Sequence, residues 1–231
     1  MAEQQVKSRE RVRDHGEVFT AEREVNAMLD LVKEETERID SRFLEPACGD
    51  GNFLVEILRR KLKACKKYEK SPLEWERYSL MALMSMYGVD ILEDNVKECR
   101  KRLLGIWDKE YRRVVKGEGR EGVEQVAEFI LGRNILCGDA LSLKANDGSP
   151  ITFSEWSFTR GNLVKRRDFR LDVLLEKEEE NQQLELDLFG DGASTKSSVN
   201  WMVDPEDPIG KRMIPAPTKE WPETEYWRLQ E

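Results

Sequence analysis

The sequence predicts an α/β domain, a parallel sheet with flanking helices, followed by an extended acidic C-terminal tail. Three observations carry this. Helical and strand-like patterns alternate from residue 21 to residue 139. A glycine-containing turn joins the first strand to the helix after it. Composition then shifts abruptly near residue 170, where the body (1–170) gives way to the tail (171–231).

The elements follow in chain order. Residues 21–39 read as one amphipathic helix, with Val25, Met28, Leu29 and Val32 at helical spacing and Thr20 in the N-cap position. A short apolar strand at 43–48 runs into the turn Gly49-Asp50-Gly51. From Asn52 the pattern is helical again, with Phe53, Leu54, Ile57, Leu58 and Leu62 on one face. Pro72 opens a further helix, because its missing N–H costs nothing at the first helical position. Tyr87–Ile91 reads as a second strand, 95–107 and 123–131 as helices, and Asn134–Cys137 as a third strand ending in Gly138 and Asp139.

The chain has 231 residues, of which 39% are hydrophobic and 36% charged, with a net charge of -8. From Leu171 onward there are 15 Asp/Glu and 6 Lys/Arg, a net of -9, so the first 170 residues carry +1. Within that body, bases cluster at 59–70 and 160–170. These read either as solvated faces or as phosphate contacts by Arg59, Arg60, Lys63, Lys66, Lys67, Lys165, Arg166 and Arg167. Trp201, Trp221, Tyr226 and Trp227 punctuate the Pro-rich tail. They suggest anchors onto this body or onto another protein. No run of about 18 apolar residues is present, which excludes a helical membrane span. The charged N-terminus predicts no secretory signal, and four cysteines without a CxxC pair predict a reducing, cytoplasmic setting. With His15 the sole histidine, a His-based triad or metal site is not expected, and no metal is assigned.

The strongest chemical signal is Phe43-Leu44-Glu45-Pro46-Ala47-Cys48-Gly49-Asp50-Gly51-Asn52-Phe53. Glycines allow close approach of backbone to a ligand, and a helix N-terminus follows. The third glycine of a dinucleotide fingerprint is absent, with Leu54 in its place. Acids at Glu45 and Asp50 suit an amine-bearing cation better than a pyrophosphate.

This segment resembles motif I of S-adenosylmethionine-dependent DNA methyltransferases, closest to the adenine-N6 enzymes of restriction–modification systems. Their version reads Asp/Glu-Pro-Ala-Cys-Gly-Ser/Thr-Gly-x-Phe-Leu. Asp50 here replaces the small hydroxyl residue. Upstream, Gly16, Val18, Phe19 and Thr20 are similar to the family's leading motif, with Ala21 where proline is usual. The resemblance implies a Rossmann-like class I methyltransferase core and a cofactor, S-adenosyl-L-methionine. It would be held by Phe19, Thr20, Glu45, Pro46, Ala47, Cys48, Gly49, Asp50, Gly51, Phe53, Asp90, Ile91, Asp139 and Ala140. Asp90 would take the ribose hydroxyls, Ile91 would pack on adenine and Asp139 would accept from the adenine amino group. By itself, an Asp after a strand is more often a cap or turn residue.

The family's catalytic tetrapeptide, Asn/Asp/Ser-Pro-Pro-aromatic, is missing. The nearest candidate is Glu155-Trp156-Ser157-Phe158, with Glu155 as hydrogen-bond acceptor and Phe158 as the base-stacking ring. Three readings compete. The first is a DNA methyltransferase or the cofactor-binding part of a split one, in a restriction–modification or phage-defence setting. The second is an inactive cofactor-binding scaffold or regulatory subunit. The third is a module addressed to the sliding clamp through Gln183–Phe189, which resembles clamp-binding peptides. The partners implied are DNA, a second methyltransferase or specificity subunit, and the clamp.

Overall fold

The structure, a computed structural model, describes residues 7–15, 17–175, 201–203 and 213–231. Gly16 and the segment Gln183–Phe189 lie outside the described residues. Three short helices lead in: α1 (Arg9–His15), α2 (Glu22–Asp30) and α3 (Lys33–Thr36). Then come β1 (Phe43–Glu45), α4 (Asn52–Ala64), a 3-10 turn (Cys65–Tyr68), α5 (Pro72–Met84), β2 (Met86–Asp90), α6 (Glu93–Val115), α7 (Val123–Asn134) and β3 (Ile135–Asp139). The strands β1, β2 and β3 lie side by side in that order and run parallel, with Phe43 opposite Met86 and Gly88 opposite Ile135. A short β4 (Lys144–Ala145) pairs antiparallel with β3.

The core lies between this sheet and the helices. Leu54, Leu58, Leu80, Leu83, Met86, Leu103, Trp107 and Ile130 are all buried there. Helix α5 starts as expected, with Ser71 at the N-cap and Pro72 at the first turn. Glycine is required at residue 51, which caps α4 at φ +97. A Cβ there would lie 2.7 Å from the Cys99 sulfur.

Among the described residues after β4, four strands form a second sheet and two more a separate pair. β5 (Thr152–Phe158) and β6 (Leu163–Arg170) make an antiparallel hairpin. β9 (Lys219–Glu220) and β10 (Thr224–Glu225) both add to β6, while β7 (Trp201–Val203) pairs with β8 (Met213–Pro215). The hairpin covers the sheet face away from the helices. Phe153 meets Tyr87 edge-on at 5.3 Å, and the Tyr87 hydroxyl donates to the Ser154 carbonyl at 3.2 Å.

Several expectations need correction. Residues 21–39 form two helices, broken after Asp30. Val25 and Leu29 are buried, whereas Met28 and Val32 are exposed, and the N-cap is Ala21 rather than Thr20. The helix expected at 95–107 runs to Val115. The basic stretch 160–170 is largely strand β6, not a loop open to phosphate. Arg166 is buried against Asp168 at 2.9 Å, Arg167 binds Glu155 at 2.6 Å and Lys165 binds Glu220 at 3.0 Å. Arg60 is likewise taken, by Asp30 and Glu56. Part of the expected extended tail is folded onto the body, since residues 219–228 supply β9, β10 and a buried Tyr226.

Candidate functional site

A cavity of about 640 Å³ opens where the carboxyl ends of β1, β2 and β3 meet the segment joining α1 to α2. Parallel sheets bind ligands at this edge, where loops and helix N-termini converge. The end of β1 and the turn after it contribute Glu45, Pro46, Ala47, Cys48 and Gly49. Helix α4 adds Asn52 and Phe53, the end of β2 adds Asp90, Ile91 and Leu92, and the end of β3 adds Gly138, Asp139, Ala140 and Leu141. The incoming arm supplies Glu17, Val18, Phe19 and Thr20. The arm is held close: a Cβ on Gly49 would meet the Phe19 ring at 3.1 Å, and Asn52 Nδ2 donates to the Thr20 carbonyl at 3.1 Å.

The carboxylate of Asp90 is fixed by three donors. Gly49 N–H donates to Oδ2 at 2.9 Å, Leu92 N–H to Oδ1 at 2.8 Å and Asn95 Nδ2 to Oδ1 at 3.2 Å. Since a carboxylate offers about four acceptor sites, capacity remains on the side facing the cavity. Asn95 also donates to Glu17 Oε1 at 2.7 Å, and Arg11 clamps Glu17 from outside at 2.6 Å. Burial opposes ionisation of Glu17, but the bonds from Arg11 and Asn95 outweigh it and hold its pKa below the usual value. Glu45 differs. Burial raises its pKa, and a single N–H bond from Ala47 only partly offsets this. Asp139 accepts from Leu141 N–H at 2.9 Å, which keeps its pKa low. The Cys48 thiol, buried and hydrogen-bonded with the free Cys99, has its pKa pushed far above its ordinary value, which disfavours the thiolate.

Of the residues expected from sequence, Phe19, Thr20, Glu45, Pro46, Ala47, Cys48, Gly49, Phe53, Asp90, Ile91, Asp139 and Ala140 come together around this one cavity. Asp50 and Gly51 do not line it. Asp50 turns outward to Arg102 on α6 at 2.8 Å, and Gly51 serves the α4 cap. Glu155 and Phe158, the expected catalytic residues, do not line it either. They lie on β5, where Arg42 and Arg167 occupy the Glu155 carboxylate. Phe158 lies under the Arg77 guanidinium at 4.5 Å and meets Tyr226 edge-on at 6.1 Å. Sequence reasoning missed Glu17, Asn52, Leu92, Asn95 and Leu141. Glu17 sits beside the matched Val18-Phe19-Thr20, so its position was legible. Asn95, in the first turn of α6 and five residues past Asp90, carried no local signal.

The charged side chains lining the cavity, Glu17, Glu45, Asp90 and Asp139, are all acids. A polyphosphate would be repelled there. A cation with hydroxyl and amine donors would find acceptors. The volume is that of an ordinary small-molecule site, and the positive-φ turn at Gly49 leaves room that a Cβ would fill.

Over 125 residues, 52% of this chain, the sequence is 26% identical to DNA methyltransferase A of Bacillus subtilis (strain 168). The chain spans 14% of that protein's length. No family model matches the chain, and no solved structure does. The likeness supports a methyltransferase relationship. Among the described residues no helix is long and apolar enough to cross a membrane.

Proposed function

We propose that the chain is the S-adenosyl-L-methionine-binding part of a DNA methyltransferase, with a Rossmann-like class I core. The observation that carries this reading is that every charged side chain lining a cavity at the carboxyl ends of three parallel strands is an acid. When bound, this cofactor supplies a methyl group on a positively charged sulfonium. Asp90 would take the ribose hydroxyls, since three fixed donors hold its carboxylate still. Asp139 would accept from the adenine amino group while Ile91 packs on the ring. Glu45 would meet the ammonium. Burial of an uncompensated carboxylate is costly, and a cation offsets that cost.

The resemblance favours adenine N6 as the target, in a restriction–modification or phage-defence setting. On this reading the groups that hold the target amine come from outside the described residues. Another stretch of polypeptide or a second methyltransferase or specificity subunit would supply them. The placement of Glu155 and Phe158 away from the cavity supports a second reading, a cofactor-binding subunit without turnover. The clamp-binding peptide at Gln183–Phe189 stays a proposal from sequence, as does a cytoplasmic location.

Isothermal titration of S-adenosylmethionine and its demethylated product into the full chain tests the assignment. Binding is expected, and Asp90→Ala should weaken it by about tenfold or more, the worth of one good charge-assisted bond. No heat of binding in the parent, or equal affinity in the variant, would sink it. Methyl transfer to DNA by the chain alone would defeat the second reading.

A further inference from the structure

Fourteen lysines fall among the described residues, and seven of them are held by an acid, by buried oxygens or, for Lys219, by the face of Trp221 at 3.4 Å. The other seven have no acidic partner: Lys63, Lys66, Lys67, Lys70, Lys109, Lys116 and Lys144. Six of these gather in one region. Lys63 ends α4, while Lys66 and Lys67 ride the 3-10 turn and Lys70 follows it. Lys109 lies one turn before Arg113 on α6, Lys116 caps the helix just after Val115, and Arg113 reaches across to Glu69. Glu69 and Glu110, acids of this region, are both taken by Arg113. All six lysines are exposed.

The patch lies at the end of the molecule away from the cavity. Helix α4 leaves the cavity at Asn52 and carries Lys63 about 16 Å along its axis, at about 1.5 Å per residue. Helix α6 starts beside the cavity at Asn95 and carries Lys109 and Lys116 about 20–30 Å from it by the same rise. Six lysines against two unpaired acids, Glu74 and Glu118, leave a local excess of positive charge that is unfavourable at low salt, in a chain whose net charge is -8. Such a concentration is stabilised by a polyanion with regularly spaced charge. Aromatic rings sit within it: Tyr68 and Tyr78 stack at 3.7 Å, and Lys67 lies 5.0 Å over Tyr68. Of the large apolar side chains, Leu73 is the exposed one nearby in sequence, whereas a bilayer-seated face needs a broad apolar band.

We propose that this end is a nucleic-acid backbone-binding surface, separate from any strand that reaches the cavity. It would hold a duplex by phosphate contacts without reading bases. The proposal does not rest on the methyltransferase reading, because it uses none of the cavity residues.

Fluorescence anisotropy of a labelled mixed-sequence duplex of about 20 base pairs, with the full chain from about 50 to 200 mM NaCl, tests it. Log affinity should fall linearly with log salt, by about 0.9 for each phosphate contact. The pairs Lys66→Glu/Lys67→Glu and Lys109→Glu/Lys116→Glu should each cut affinity by about tenfold or more at low salt and flatten the slope by about 2. Lys144→Glu, the unpaired lysine outside the patch, should leave both unchanged. Three outcomes would overturn the proposal: no duplex binding, parental affinity in both pairs, or binding to phosphatidylserine vesicles in place of duplex.

Discussion

At Glu45 the pKa stands above the usual carboxylate range because burial strips water from the charge. The sign of its effect on stability follows. Between the unfolded value and the raised folded one, the native state binds more protons. Stability therefore falls as pH rises through that window and stays lower above it. Glu45→Gln should raise Tm by a few degrees at pH 7 and leave it nearly unchanged at pH 3.5. The same variant should bind S-adenosylmethionine more weakly, because the ammonium loses its counter-charge. A variant melting at or below the parent at pH 7 would show that Glu45 is satisfied in the free protein. At this scale the cavity was legible wherever a motif was contiguous, as from Glu45 to Gly49. It was not legible where a partner came from afar. Nothing near Asp50 announces Arg102, 52 residues later, so the side chain was expected to face inward.

Helix α4 is tied to the approach to β1 by a lysine. Lys61 is fully buried, and its Nζ donates to the carbonyls of Arg38, Ile39 and Ser41 and to Ser85 Oγ at 2.7 Å. Burial pulls its pKa down to about 7. The unfolded chain keeps the proton up to about pH 10.4. Between these values the unfolded state binds more protons, so stability rises with pH. Measured against Lys61→Met by urea denaturation, the parent should gain about 1–3 kcal/mol between pH 7 and 9.5. A flat difference would mean that the four oxygens keep Lys61 charged throughout. The elements themselves were legible because α4, α5, α6 and α7 each bury a face of periodic apolar residues. The break between α2 and α3 was not, because periodicity placed Met28 and Val32 inside. Tertiary packing uses only Val25 and Leu29. Nor was the β5–β6 hairpin legible, since β6 buries an ion pair, Arg166 with Asp168, on its inner face. A strand with charge facing inward reads from sequence as a solvated basic loop.

Across the whole molecule, the C-terminal segment is held by buried acids of the body, Glu76 and Asp168, whose remaining acceptor capacity it fills. Tyr226 is buried, and its hydroxyl donates to Glu76 Oε1 at 2.8 Å and accepts from Arg120 at 2.6 Å. Trp221 Nε1 donates to Asp168 at 3.0 Å. Tyr226→Phe keeps the ring but removes both bonds, leaving a buried carboxylate short of a donor. It should cost about 1–3 kcal/mol in urea denaturation. A change below about 0.5 kcal/mol, the noise of a neutral surface substitution, would show that Tyr111 and Arg120 satisfy Glu76 unaided. Composition alone made residues 171–231 an extended acidic tail with aromatic anchors; which body residues take the anchors of 219–228 was not legible, because those partners are distant in the chain.

That distance has a consequence for biosynthesis. Glu76 and the Tyr226 that bonds it are separated by 150 residues. At about 5–20 residues per second, a ribosome takes roughly 8–30 s to cover the gap. Throughout that interval the nascent helical layer exists with its buried glutamate still reaching for water. The layer closes only when residue 226 clears the exit tunnel, so a stalled or prematurely released chain would present chaperones and proteases with a sheet and helices around a hydrated breach.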